Sequence, residues 1–291
     1  MITITGASGK LGRAVAHELS KRVDTAQVIL GSRTPENIED LHMQGFITAV
    51  ADFDRPETLQ GMFRGTHTAL IICGHGDNAT RTRQHKNAFA AARAAGVSRL
   101  LYTSFTNPTA SSLFPFALVH EASETLAREM GLRCTFLRNN HYAENLETAL
   151  TLARRTGVLA LPGAHGKVAY IARADVAAAT AGALTSDDGR AEAEITGNAA
   201  LDLFEVAELA SQAWGMKVDA RDMPAAEYAR LLTERDLPGF VVEAQVGIRL
   251  AAGAGEYARV TRDAEQLAGR PIDDLLTYLK AFSAAGSAAL T

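Results

Sequence analysis

Cysteine is scarce: two in 291 residues, too few for a disulfide framework. Cys73 and Cys134 both fall in strand-like apolar runs, where a thiol acts as a small hydrophobe, and so sparse a usage fits a reducing compartment. No basic run occurs, and the net charge is −4 with a pI near 6.1. The clustered positive excess that a phosphate backbone demands is therefore missing, and no nucleic-acid partner is expected. No apolar stretch nears the roughly 18 residues of a membrane span. The first apolar run follows Met1 directly, leaving no room for a targeting segment, so the expectation is a cytoplasmic protein without membrane contact. None of the eight histidines stands in HExxH or beside a cysteine at ligand spacing, so no metal is expected. GxSxG is absent, which argues against a serine nucleophile, and no internal repeat or low-complexity linker interrupts the chain.

What is present is a soluble globular mix, 47% apolar and 21% charged, long enough for one large domain or a domain with a lobe. Strand-like β-branched runs at 2–5, 27–30, 47–53, 68–73, 100–105 and 134–137 alternate with helical stretches, among them 11–21, 55–63, 82–95 and 116–130. Near-continuous apolar runs such as Ala69-Leu70-Ile71-Ile72 suit strands covered on both faces, and strict alternation implies right-handed crossovers. Further strands are expected at 168–173 and 193–196, separated by an alanine-rich helix at 175–184. Beyond about residue 200, helical patterns at 203–214, 225–234 and 240–251 surround one short strand at 217–220, and another helix follows Pro271. The expected fold is α/β: a doubly wound parallel sheet over 1–199 and a smaller, mostly helical lobe over 200–291.

Gly6, Gly9 and Gly12 stand directly after the first strand and at the mouth of the first helix. In that setting Gly6 reverses the chain, Gly9 admits a diphosphate against the backbone, and Gly12 lets helix and strand pack closely. The helix N-terminus then offers free N–H groups and positive dipole density. There is no GK[ST] ending, which weakens a kinase or ATPase reading, although Lys10 could meet a phosphate as readily as solvent. After the second strand the chain reads Leu30-Gly31-Ser32-Arg33-Thr34, with no acid to bind a ribose diol. Arg33, supported by Ser32, instead suits a 2′-phosphate, so NADP(H) is the expected cofactor. Asp52 and Phe53 end the third strand, where an acid can accept from the adenine amino group or simply cap the next helix. Cys73 and Gly74 end the fourth, and the crevice beyond these strand termini is where a ligand is expected.

Taken together, GASGKLG, GSR, ADFD, RQHKNAFAAARAAGV before LLYTSF, TFLRNNHYAEN and IARADVAAA resemble the NmrA-like branch of the atypical short-chain dehydrogenases/reductases. The resemblance is strongest to bacterial quinone oxidoreductases and triphenylmethane-dye reductases, and it spans nearly the whole chain. It implies a Rossmann-like NADP-binding domain, a small C-terminal lobe and hydride delivery to a flat aromatic acceptor such as a quinone. The family's diphosphate loop falls on Gly6, Ala7, Ser8, Gly9, Lys10 and Leu11, and its phosphate-selecting basic residue on Arg33. By the same similarity the stretch from Arg138 to Asn145 passes beside the nicotinamide, and Arg173 is a further cofactor-proximal arginine. Ordinary short-chain dehydrogenases carry YxxxK; here the corresponding helix offers His120-Glu121-Ala122-Ser123-Glu124. That departure disfavours alcohol dehydrogenation and leaves reduction open.

Reducing a quinone needs hydride, which the cofactor carries, and protons for the developing hydroquinone oxygens. His120, His141 and Tyr142 are the candidates for that proton or hydrogen bond. Asn139 and Asn140 are candidates to orient the carboxamide or an acceptor oxygen, or else are turn residues. An NADP(H)-binding redox sensor without turnover explains the same glycines, and the composition leaves a homodimer open.

Overall fold

The structure, a computed structural model, describes residues 1–288. In chain order the elements are β1 (Ile2–Ile4), α1 (Lys10–Ser20), β2 (Val28–Ser32), α2 (Glu39–His42), β3 (Ile47–Val50), α3 (Pro56–Phe63), β4 (Thr68–Ile71), α4 (Asn78–Ala94), β5 (Arg99–Phe105), α5 (Ala117–Glu129) and β6 (Cys134–Asn139). There follow α6 (Glu147–Thr156), β7 (Val158–Leu161), α7 (Arg173–Thr185), β8 (Glu192–Ile195), α8 (Leu203–Trp214), β9 (Asp219–Asp222), α9 (Ala225–Thr233), α10 (Gly239–Gly253), α11 (Asp263–Ala268) and α12 (Leu275–Ala288).

Seven strands form one parallel sheet in the order β3-β2-β1-β4-β5-β6-β8. The order reverses between β1 and β4, which pair through Ile2 with Thr68 and Ile4 with Leu70. Such a reversal leaves a crevice beyond the strands' carboxyl ends, because the connections leave toward opposite faces. Successive side chains separate onto those faces: Leu30, Leu70, Leu101 and Leu137 pack with α1, α7 and α11, whereas Ile29, Ala69, Ile71, Leu100, Tyr102 and Phe136 pack with α3, α4 and α5. This is why the strand sequences read as continuous apolar runs. Roughly 25 cal/mol per Å² of apolar surface removed from water drives both faces together.

A third cluster lies beyond the sheet, where α6, β7, α8, α10 and α12 bury Leu150, Leu159, Val206, Ala251 and Leu279 around Tyr257. It draws on the stretch 143–170 as well as on 201–282, and Ala264, Leu267 and Ile272 return to the first cluster. The helix α6 and the strand β7 were not expected from sequence, and β7 pairs in parallel with β9, Val158 opposite Asp219. The expected strand at 168–173 does not form. Its run is apolar because it is buried between sheet and lobe, and its backbone bonds go to separate partners: Val168 N–H to Leu201, Ala169 N–H to Tyr257 and Ile171 N–H to His141. The third and fourth strands also stop early, at Val50 and Ile71, so Asp52-Phe53 and Cys73-Gly74 stand in the loops beyond them. No helix among the described residues is long and apolar enough to cross a membrane.

Candidate functional site

The turn out of β1 has Gly6 at φ +67°, which an L side chain adopts only with strain. A Cβ on Gly12 would stand 2.3 Å from the Gly6 carbonyl oxygen, so α1 approaches the turn as closely as backbone allows. Gly9 is the N-cap of α1 and contributes no side-chain hydrogen bond, which leaves the first-turn N–H groups open toward a cleft of about 770 Å³. That cleft runs along the carboxyl ends of β1, β2, β4, β5 and β6, and the lobe contributes Ile248 of α10 to its far wall.

All but two of the expected site residues line this cleft. Gly6, Ser8, Gly9, Lys10 and Leu11 form one end, with Ala7 fully buried beneath them. Lys10 and Arg33 are exposed and make no ion pair among the described residues, so both cations are available to an anion. Ser32 is committed elsewhere: its hydroxyl donates to the Thr34 carbonyl at 2.9 Å and accepts from the Thr34 N–H, and its residue is buried. The hydroxyl expected to support a phosphate is thus engaged with Thr34 in this structure. Asp52 ties the turn before α3 by accepting from the Asp54 N–H at 3.0 Å and from Arg55 at 3.2 Å, while still facing the cleft beside Phe53. Cys73 N–H donates to Thr103 Oγ1 at 2.8 Å and Gly74 N–H to His85 Nε2 at 3.2 Å, which holds the loop after β4 open.

At the other end, Asn139 donates to the Tyr142 hydroxyl at 3.1 Å, and its own Oδ1 is buried without a hydrogen-bond partner. Burial raises the Tyr142 phenol to about 12, so it stays protonated at neutral pH. Arg173 opens α7, lies 5.7 Å from the centre of the Tyr142 ring and pairs with Glu144 at 3.6 Å. Asn140 lines the cleft with an amide already committed: it donates to the Tyr257 carbonyl at 3.0 Å and accepts from His141 N–H at 2.8 Å. His120, on α5, shares a hydrogen bond between its Nδ1 and the Tyr102 hydroxyl at 2.9 Å and stacks 6.2 Å from Phe105. Burial lowers His120 to about 3, with the Arg81 guanidinium adding to the effect. His141 is the second residue outside the cleft. It packs 4.8 Å from Tyr257 and 5.8 Å from Phe105, and burial, with Arg249 adding, pushes its imidazole well below the ordinary range.

Several cleft residues were missed from sequence. Arg81 stands 3.8 Å over the Phe116 ring and donates to the Gly76 carbonyl at 2.7 Å. Thr103, Ser104 and Phe105 end β5, and the rule that strand carboxyl ends line the crevice would have found them. Phe114 and Ile248 arrive from a loop and a distant helix, positions that carry no local signal. Phe105 and Phe114, 5.0 Å apart, give this end an apolar wall suited to a flat ring.

Residues 6–187 match a family model described as NAD(P)H-binding. The chain is 30% identical over 276 residues to quinone oxidoreductase 2 of Escherichia coli strain K12, covering 94% of this chain and 96% of that protein. Among solved structures, the Citrobacter sp. triphenylmethane reductase complexed with NADP(H) superposes with a TM-score of 0.91 at 30% identity, covering 97% of this chain and all of that one. The Escherichia coli NADPH-dependent quinone oxidoreductase complexed with NADPH gives 0.91 at 29% identity, over 97% of this chain and 99% of that one.

Proposed function

The chain belongs to the NAD(P)H-binding family, among its NmrA-like oxidoreductases, and from that premise we propose that it is an NADPH-dependent reductase of quinones or related conjugated aromatic acceptors. One observation carries the reading: a single cleft joins an anion-accepting end, built from an uncapped helix N-terminus and the unpaired Lys10 and Arg33, to an aromatic end with a histidine and an orphaned amide oxygen. These groups fit a phosphorylated dinucleotide. Gly6, Ser8, Gly9, Lys10 and Leu11 would hold the diphosphate through backbone N–H groups, with Ala7 packed below. Arg33 would take the 2′-phosphate and Asp52 and Phe53 the adenine, while Cys73 and Gly74 form the floor. Asn139, whose Oδ1 needs a donor, would meet the nicotinamide end together with Tyr142 and Arg173. Reduced nicotinamide supplies the hydride when bound.

The chain's own residues do the remainder. Phe105 and Phe114 stack and desolvate the acceptor, and His120 offers a hydrogen bond where negative charge develops. Asn140 and His141 support this end from behind: one ties its turn to the lobe, the other fills the space beneath Phe105. We place the protein in the cytoplasm, consistent with two free cysteines and no span-length apolar helix among the described residues. The test is steady NADPH consumption on adding a simple benzoquinone or naphthoquinone, with NADPH bound at least tenfold more tightly than NADH. Tight binding of NADPH with no turnover on any quinone would instead mark a redox sensor.

A further inference from the structure

His85, Tyr102, His120 and Ser123 form a buried hydrogen-bonded chain from α4 through β5 to α5, and a backbone donor fixes the proton order at one end of it. The fixed point is a backbone group: Gly74 N–H can only donate, so His85 Nε2, 3.2 Å away, must accept. The neutral His85 ring therefore carries its hydrogen on Nδ1. Burial keeps that ring neutral, lowering it to about 3, with His120 and Arg81 adding. Ser123 spends its single hydrogen on the Val119 carbonyl at 2.7 Å, which leaves its oxygen to accept from His85 Nδ1–H at 2.8 Å. The same His85 hydrogen faces the Tyr102 oxygen at 3.3 Å. With the His85 hydrogen on its oxygen, the Tyr102 O–H is free to point to His120 Nδ1 at 2.9 Å, the Cys73 thiol and the Ser123 hydroxyl being its other neighbours. Burial raises the Tyr102 phenol well above its ordinary range, so that hydrogen is retained.

From this order we infer that Tyr102, His85 and Ser123 are positioning residues that lock His120 in its neutral Nε2–H tautomer and present that N–H to the acceptor in the cleft. His120 lines the cleft, and its Nε2 makes no hydrogen bond among the described residues. The role rests on the reductase reading. Hydride addition to a quinone leaves a hydroquinone anion, and the Nε2–H hydrogen bond disperses the charge on its oxygen. The proton that completes the hydroquinone comes from solvent, so His120 does not pass through an imidazolate. Tyr102 donates to Nδ1 throughout, polarising the ring as a second-layer donor polarises a metal-bound histidine.

The test is a long-range ¹H–¹⁵N spectrum of the full chain with labelled histidine, His120 being assigned by loss of its signals in His120→Gln. The expected result at pH 7 is a protonated Nε2 and an unprotonated, hydrogen-bonded Nδ1 in the wild-type protein. Tyr102→Phe keeps the ring volume and should release the preference, giving mixed tautomers, with kcat for a quinone about tenfold lower and the Kd for NADPH unchanged. His120→Gln retains an N–H donor near the same position and should keep more of the rate than His120→Ala, which is expected to lose about a hundredfold. An Nδ1–H tautomer or an imidazolium for wild-type His120 at pH 7 overturns the proposal, as does an unchanged tautomer in folded Tyr102→Phe. The spectrum needs neither cofactor nor acceptor, so it decides the tautomer separately from turnover. Absence of turnover by the wild-type protein would overturn only the reductase reading.

Discussion

Arg33 is exposed at the rim of the cleft with no carboxylate paired to it among the described residues, and its charge is felt by its neighbours: it helps hold Asp54 below the ordinary carboxylate range, after the larger contributions of Gln84 and Arg83. A guanidinium in that state has little to lose by pairing with a phosphate. Charge-assisted bonds of this kind contribute about 1.5–3 kcal/mol. Arg33→Ala should therefore raise the Kd for NADPH by roughly 10- to 100-fold while leaving NADH within about twofold. Calorimetric titration with both cofactors checks it, and equal losses for the two would remove Arg33 from phosphate recognition. That the glycines and Arg33 line the cleft was legible in the sequence, because each lies shortly after a strand end and its place follows from its own neighbours. Ser32 looked equally suited, and the turn in which its hydroxyl bonds Thr34 was not legible beforehand. His141 was placed by residue type, and the packing of Tyr257 and Phe105 around it, which keeps it off the cleft wall, was not legible in the sequence.

Single elements show the same division. The helix α8 begins with a reciprocal capping box, Asp202 accepting from Glu205 N–H at 2.9 Å and Glu205 accepting from Asp202 N–H at 2.8 Å. Its Leu203, Val206 and Ala207 face the lobe core that supports the far wall of the cleft. Asp202→Ala should cost about 1 kcal/mol in urea unfolding, with little change in NADPH affinity. A cost indistinguishable from zero would mean that packing alone sets the start of α8. Local signals of this sort made α8 readable from sequence. The strand β7 was not readable: Val158–Leu161 is a short apolar run whose partner, β9, lies some sixty residues further on. The run at 168–173 has strand composition yet no ladder, because β-branched residues favour any buried extended path, and the neighbouring chain decides whether a second strand lies alongside.

At the scale of the molecule, three histidines are buried as neutral rings. His85 and His120 are lowered to about 3, and His141 falls well below the ordinary 6.5, burial being the first cause in each. The unfolded chain binds these protons once the pH drops below about 6.5, whereas in the folded chain His85 and His120 do so only near pH 3 and His141 only well below the ordinary range. Unfolding therefore takes up protons throughout that window, so stability is full above about pH 6.5 and is lost as the pH falls. Each ring contributes about 1.4 kcal/mol per pH unit there. Urea midpoints measured from pH 7.5 to 4.5 should fall on the acid side, and His141→Phe should flatten the slope by one proton's worth. A flat profile in the wild-type protein would mean that these rings are solvated. What the sequence determined by itself was the alternation of strand and helix, the glycine turn at the head of α1 and an NADP(H) cofactor, since each depends on neighbouring residues and on backbone geometry set within a few positions. The tertiary structure decided what stands at the aromatic end of the cleft: Tyr102 behind His120, Phe105 beside Phe114, with Ile248 also lining the cleft. Those contacts join residues distant in the chain, and only the closing of the sheet against the lobe brings them within reach.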